Sequence, residues 1–297
     1  MRVIALFSHK ILKVEEVRVC SLASGSNGNV YYIEYGGEAM VVDVGISYRK
    51  LKNRAMTRKV DLRKIKYIFI SHEHSDHVYG LAGLSKQVGA SVFMTRGTWD
   101  GMRDKYRPAP AQTTAFASGG DPVQAGPFKV FSFAKPHDVI EPCSFRVEVG
   151  GVSIGVFTDI GSPCDELVSN ISKCQLVFLE SNYDMPMLWA GRYPERLKQR
   201  VTSGLGHLSN IQAHDAVCRA EPANLHAIFL SHISHENNRP DIALQAFSDL
   251  ADKYLVKVMS RDEASDIWSV SSTGVTKVPP VIDLPSRLDR VPLKISY

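Results

Sequence analysis

The stretch YIFISHEHSDHVYGL, residues 67–81, constrains this chain more than any other. It places His72, His74, Asp76 and His77 within six positions, directly after a hydrophobic run. Each of these groups is costly to bury without a partner, and a solvated loop has no need of three imidazoles and a carboxylate at such spacing. If KYIFI is a strand, alternation puts His72 and His74 on one face and Glu73 on the other. Asp76 and His77 follow where the chain turns into a helix. Imidazole and carboxylate together suit zinc, manganese or iron.

One metal needs three or four ligands. The cluster is too rich for one centre and too poor for two closed ones, so partners are sought at other strand ends. SFAKPHDV offers His137, GVFTDIG offers Asp159, IFLSHIS offers His232 and MVVDVG offers Asp43. All four end β-like runs, where side chains from different strands can converge.

The rest of the chain is that of an ordinary globular protein. It has 297 residues, 44% hydrophobic and 22% charged, enough for one large core or two modest ones. A net charge of +4 permits an anionic partner without demanding one. Five scattered cysteines with no C-x-x-C pair fit reduced thiols in a cytoplasmic protein. The opening MRVIALFSHKILKVEEV is too short in its apolar run for a signal peptide, and no run of about 18 apolar residues exists to span a membrane.

Short runs rich in Val, Ile, Phe and Tyr alternate with amphipathic stretches along the chain. Eleven read as strands, from EVRVCSL near the start to VKVMSR near residue 258. Helices are expected over 47–56, 76–88, 97–105, 163–173, 195–203, 209–220 and 240–253. YGGEA and EVGGVS each join two β-like runs as hairpins. Sheets covered by helices follow, with mixed strand directions. Residues 1–16 are expected to be an N-terminal extension, 17–269 the folded domain, and the proline-bearing 270–297 an aperiodic tail.

H-x-H-x-D-H followed by a strand-end His, Asp and His resembles the metallo-β-lactamase fold superfamily, over roughly residues 17–260. The resemblance implies an α/β (α+β) protein, a four-layer αββα sandwich with a dinuclear site at one edge. It implies that His72, His74 and His137 hold one metal, that Asp76, His77 and His232 hold the second, and that Asp159 bridges them. Asp43 would orient the loop or a ligating histidine rather than ligate. No ligand position is substituted.

Further motifs narrow the resemblance. LESNYD (179–184), GHLSNIQAHDAV (206–217) and LSHISHENNRP (230–240) are similar to a phosphodiesterase branch. With SLASGSNGN (21–29) they resemble the YycJ/WalJ family of bacterial proteins, whose activity is metal-dependent 5′-to-3′ exonucleolytic degradation of double-stranded DNA. His235 departs from the acidic residue usual in that family, and so does the long tail. Only 47 residues separate Asp159 from His207, too few for the large inserted domain of RNase J-like relatives.

The family reading implies two divalent cations, zinc or manganese, that activate water and clamp a phosphate. Asp76, His207 and Glu180 form the expected catalytic set. His207 protonates the departing oxygen or holds the phosphate, and Glu180 orients it. Ser26 and Asn27 lie in a turn whose amides could face a phosphate. The run 48–66 carries nine Lys or Arg against one Asp and could contact a duplex backbone. Arg192 and Arg196, taken as one helical turn apart, are a second candidate phosphate contact. DNA is the expected partner, with no membrane and, lacking a P-loop, no nucleotide cofactor. The rival readings are a hydrolase of a small phosphodiester, lactone or thioester at the same centre, and a non-catalytic binder that keeps metals for stability.

Overall fold

The computed structural model describes residues 16–279. The N-terminal extension before residue 16 and the chain beyond 279 lie outside the described residues. The first sheet holds β1 (Val17–Ala23), β2 (Val30–Tyr35), β3 (Glu38–Val42), β4 (Ile65–Phe69), β5 (Ser91–Thr95), β6 (Thr113–Phe116), β14 (Trp268–Ser271) and β15 (Gly274–Lys277). The second holds β7 (Val123–Ala125), β8 (Phe128–Ala134), β9 (Cys143–Val149), β10 (Val152–Phe157), β11 (Leu176–Glu180), β12 (Ala227–Ser231) and β13 (Leu255–Val258). The helices are α1 (Tyr48–Thr57), α2 (Ser75–Val78), α3 (Leu81–Val88), α4 (Arg96–Gly101), α5 (Asp165–Ile171), α6 (Met185–Ala190), α7 (Glu195–Thr202), α8 (Asn210–Ala220) and α9 (Pro240–Gln245).

Strand alternation builds the four layers. In β3, Met40 and Val42 face the second sheet, while Ala39 and Val41 face outward onto α1 and α3 through Leu51, Leu81 and Leu84. In β11, Leu176 and Phe178 enter the central core, while Val177 and Leu179 meet α5 and α8 through Leu167, Ala213 and Val217. Both faces of these strands are buried, which is why they read as unbroken apolar runs. Each fully buried Val, Leu, Ile or Phe side chain contributes about 1.5–3 kcal/mol. The result is the expected αββα sandwich.

Both expected hairpins form. Gly36 and Gly37 have φ of 61° and 82°, and Gly150 and Gly151 have 55° and 78°, the paired positive φ that a tight two-residue turn demands. Helix caps also follow the sequence. Ser47 accepts from the Lys50 amide, and Ser209 with Gln212 closes a capping box. Some boundaries differ. The single helix expected over 76–88 is broken at Tyr79–Gly80 into α2 and α3, and the helix from 240 stops at Gln245. Helix α6, the edge strands β6, β7 and β15, and β14 beside β15 were not expected. The tail expected from residue 270 begins as strand, because Val17, Arg18 and Val19 of β1 pair with Val270, Ser269 and Trp268. That hairpin is too short and too exposed to read as strand. Among the described residues no helix is long and apolar enough to cross a membrane, and all five cysteines are free.

Two parallel runs set up the functional edge. Strands β3, β4, β5 and β6 are mutually parallel, as are β10, β11, β12 and β13. Their carboxyl ends come out along one side. The segment after β4 is tied by backbone bonds to the segment after β3, where Val44 N donates to His77 O at 2.7 Å and Gly80 N to Val44 O at 2.8 Å, and to the β1–β2 loop, where Asn29 N donates to Asp76 O at 2.8 Å. This close approach requires glycine at residue 45, where a Cβ would lie 1.6 Å from the Asp76 carbonyl oxygen. Gly45→Ala should therefore lower stability by about 3 kcal/mol, the upper end of the cost of forcing extra volume into packed structure. Gly204→Ala, at a position with open space around its Cβ, should stay within about 0.5 kcal/mol of wild type. Urea unfolding of the two variants measures the difference.

Candidate metal centre

Every metal-ligand candidate except His74 and Asp76 is buried, and all of them come to the shared strand-end edge. His72 lies past the end of β4, His137 past β8, Asp159 past β10 and His232 directly after β12. His74 caps the short helix α2, which carries Asp76 and His77. The route differs from the sequence expectation in one respect. Strand β4 ends at Phe69, so His72 and His74 share a face through the loop rather than through strand alternation. Glu73 does point elsewhere, its Oε1 accepting from the Ile140 amide at 3.2 Å.

Among the described residues four overlapping groups of donors have atoms mutually within 4.8 Å: His72, His74 and His137; Asp76, His77 and His232; His72, His77 and Asp159; and Asp159, Glu180, His207 and His232. Asp159 lies between the first two. Its Oδ2 is 3.0 Å from His77 Nε2, and its Oδ1 is 3.5 Å from His232 Nε2 and 3.9 Å from His137 Nε2. In the first group, His74 Nδ1 is 3.2 Å from His72 Nε2 and 3.3 Å from His137 Nε2.

The outward nitrogens are held by oxygen. His77 Nδ1 donates to Asp43 Oδ2 at 2.7 Å, and His232 Nδ1 donates to Glu180 Oε1 at 3.1 Å. His137 Nδ1 donates to the Gly206 carbonyl at 3.2 Å, and His72 Nδ1 meets Ser71 Oγ at 2.9 Å. Asp43 also accepts from the Ser71 amide and hydroxyl, so it braces His77 directly and His72 through Ser71. Such contacts fix the ring orientation and tautomer of metal-binding histidines.

Electrostatics divide the two groups. Burial holds the His72 imidazole well below its ordinary range, and brings His137 down to about 4. Burial also opposes charge on His77, but the carboxylates of Asp159, Asp43 and Asp76 override it and raise His77 to about 10. His232 is driven well up, against burial, by Asp159, Asp76 and Glu180. Burial would raise the Asp159 carboxyl, yet His232 and His77 hold it well below the usual carboxylate range.

These residues fit divalent cations. His232 Nε2 is buried with no hydrogen-bond partner, and Asp159 Oδ2, though 3.0 Å from His77 Nε2, is not aligned to accept from it; an ion between them relieves both costs. Three imidazole nitrogens converge on one point in the first group, which is a donor set and not a hydrogen-bonding arrangement. The His/Asp cluster is a divalent-metal site in its chemistry.

His207 stands beside the cluster, its Nδ1 donating to Glu180 Oε1 at 2.8 Å and lying 3.6 Å from Asp159 Oδ1. Glu180 thus reaches His207 and His232 with one oxygen, while its other oxygen accepts from the Ile160 and Leu208 amides. Burial pushes the Glu180 carboxyl up, but His207 and His232 bring it to about 2. The link to His232 is a role that reading of the sequence missed.

The remaining candidates divide. Ser26 and Asn27 are exposed and line a cleft together with Asp76. Two amides of their loop do not face outward as expected. Gly25 N donates to Asn29 Oδ1 and Gly28 N to Gly25 O. Arg192 and Arg196 are not one helical turn apart, because α7 begins only at Glu195, after Pro194. Both are exposed. Helix α7 buries Val201 against Tyr183 and Leu188 and reaches the metal edge through Arg200, whose Nε donates to Asp138 Oδ2 at 2.6 Å. His235 is 70% exposed and pairs with Glu236, away from the cluster.

This fold and this buried donor set define a class. A family model described as the metallo-beta-lactamase superfamily matches residues 23–163. The chain is 32% identical to exodeoxyribonuclease WalJ of Streptococcus pneumoniae over 225 residues, covering 75% of this chain and 83% of that protein. It is 29% identical to exodeoxyribonuclease YycJ of Bacillus anthracis over 257 residues, covering 86% and 96%. The chain belongs to the metallo-β-lactamase superfamily and, within it, to the family of the YycJ and WalJ proteins. Among solved structures, the metallo-beta-lactamase fold protein YhfI of Bacillus subtilis superposes with a TM-score of 0.66 at 18% identity, over 86% of this chain and 100% of that one. The short form of human tRNase Z gives 0.57 at 17%, over 84% and 98%. At these identities the likeness is one of fold.

The carboxylate of Asp43 touches no substrate-facing group but orients two histidines. Asp43→Asn should weaken zinc or manganese binding by about 10–100-fold. Competition against a chromophoric chelator reads the loss, and an unchanged far-UV spectrum separates it from unfolding.

Proposed function

We propose that this chain is a metal-dependent 5′-to-3′ exonuclease acting on double-stranded DNA. The observation that carries the reading is the complete donor cluster with the His207–Glu180 pair at its side, in a chain about a third identical to proteins named exodeoxyribonucleases. His72, His74 and His137 would hold one divalent cation and Asp76, His77 and His232 a second, with Asp159 within reach of both. Zinc and manganese both suit these donors. When bound, such ions neutralise charge on a phosphate and make a water molecule a competent nucleophile near neutral pH.

The protein's own residues do the rest. Glu180 accepts from His207 Nδ1 and so leaves the far edge of the ring to face the substrate. His207 Nε2 has no hydrogen-bond partner among the described residues, and the side chain is partly exposed. It is placed to deliver a proton to the departing sugar oxygen. Asp76 is the ligand most open to the cleft, with Ser26 and Asn27 beside it. That cleft is lined by polar and cationic groups, which favours a nucleic acid over the small lactone or thioester of the alternative reading.

The test is digestion of end-labelled duplex DNA with added zinc or manganese. Wild type should release nucleotides stepwise from the 5′ end, and His74→Ala should abolish release. His207→Ala should keep its metal and lose about 10²–10⁴-fold in kcat, the usual worth of a general acid. A His207→Ala enzyme at the wild-type rate would remove the ring from the chemistry. Wild type inert on DNA in both metals, yet active on a simple phosphodiester, would overturn the nuclease reading.

A further inference from the structure

The cleft that ends at Asp76 has a volume of about 370 Å3. Ser26 and Asn27 come from the β1–β2 loop, Arg49 and Lys50 from the first turn of α1, and Tyr79 from the exit of α2. It shares a wall with the metal cluster, so whatever fills it is continuous with the reacting group.

The cations in its wall are selected from a longer basic run. Of the nine Lys and Arg between residues 48 and 66, five are engaged by neighbours, while Lys52 and Lys66 are exposed and do not line the cleft. Arg54 donates to the carbonyls of Leu22 and Arg261. Arg58 binds the Ala264 carbonyl and Asp266. Arg63 pairs with Asp61, Lys64 with Glu34, and Lys59 is also engaged. The side chains of Arg49 and Lys50 have no ion pair or hydrogen bond among the described residues, and both are exposed into the cleft. An adjacent pair of uncommitted cations beside a phosphodiester-cleaving centre is an anion contact in search of an anion.

Tyr79 adds a second, independent feature. Its ring is 54% exposed, three residues from Asp76, and is backed by Tyr106 at a centroid distance of 5.8 Å. A supported, exposed aromatic face next to free cations is the combination that holds a single nucleotide: phosphate on the cations, base on the ring. Stacking of this kind tolerates any base.

We propose that this cleft is a nucleotide subsite next to the scissile phosphate, with Arg49 and Lys50 holding the neighbouring phosphate and Tyr79 stacking its base. The assignment rests on the nuclease reading above. The experiment measures KM and kcat for duplex DNA across a salt series, using wild type, the double variant Arg49→Ala with Lys50→Ala, Tyr79→Ala and Tyr79→Phe. Metal content and unfolding midpoint are measured alongside.

In the double variant KM should rise, kcat should stay within about twofold, and the slope of log KM against log salt should flatten by about 1–2, the loss of one or two phosphate contacts. Tyr79→Ala should raise KM about tenfold, as loss of one stacked base does, and Tyr79→Phe should restore it. Unchanged KM and salt slope in variants of an enzyme that digests DNA would overturn the subsite and leave the nuclease reading standing. A fall in kcat with metal lost would equally overturn it, since these residues would then be scaffold for the metal edge. Wild type inert on DNA would overturn the nuclease reading and the subsite with it.

Discussion

Everything at the functional edge depends on one buried carboxylate, Asp159. It is 2% exposed, and four imidazoles, those of His77, His137, His207 and His232, lie within 4 Å of its oxygens. A carboxylate removed from water is affordable only where positive charge surrounds it. That demand organises the neighbours: His77 and His232 turn their Nε2 atoms toward it, and their opposite nitrogens are tied back to Asp43 and Glu180. The two braces are themselves fully buried carboxylates. The cluster is thus an alternation of acid and imidazole whose charge closes only around a cation. Its two halves differ: the His72, His74 and His137 side offers neutral nitrogen, while the Asp76, His77 and His232 side is rich in carboxylate.

The backbone carries the strain this requires. Asp43, Asp159 and His232 have φ of 62°, 55° and 54°, in a region few non-glycine residues visit. Each costs of order 1 kcal/mol or more. All three come just after strands β3, β10 and β12. The left-handed turn takes each side chain off the strand's alternation: Asp43 reaches Ser71 and His77, Asp159 reaches His77, and His232 comes within 3.6 Å of Asp76. Parallel pairing then aligns the donors. Glu180 is paired with Ser231 across β11 and β12, so Glu180 and His232 emerge one residue apart in register and meet at 3.1 Å. Ligand sites at the carboxyl ends of parallel strands follow from this geometry.

Much of the molecule was legible in the sequence because the same physics writes both. Strands buried on two faces appear as unbroken apolar runs, hairpins announce themselves by paired glycines, and Ser47 and Ser209 mark helix starts. The donor residues were legible as types: imidazole and carboxylate have no cheap reason to end a hydrophobic strand. Their convergence was not, since it depends on strand order and on left-handed turns at Asp43, Asp159 and His232, none of which leaves a local mark. The misreadings are also local. The hairpin at 268–277 is only partly buried, so its pattern is faint. Arg192 and Arg196 were judged by spacing alone, and Pro194 breaks the helix that spacing assumed.

The long basic run shows most plainly why charge counts do not locate a binding face. Read along the chain, residues 48–66 look like one cationic surface. In the fold, helix α1 and the segment after it lie against the first sheet and the 261–266 loop, and that packing takes Arg54 and Arg58 as structural donors to backbone carbonyls. An arginine that satisfies buried carbonyls cannot be removed or redirected without leaving those acceptors unpaired. Arg49, Lys50, Lys52 and Lys66 remain exposed without an ion pair or hydrogen bond among the described residues, and of these Arg49 and Lys50 line the cleft to which Asp76 opens. Charge left over from folding, rather than charge as such, marks where an anion can be received.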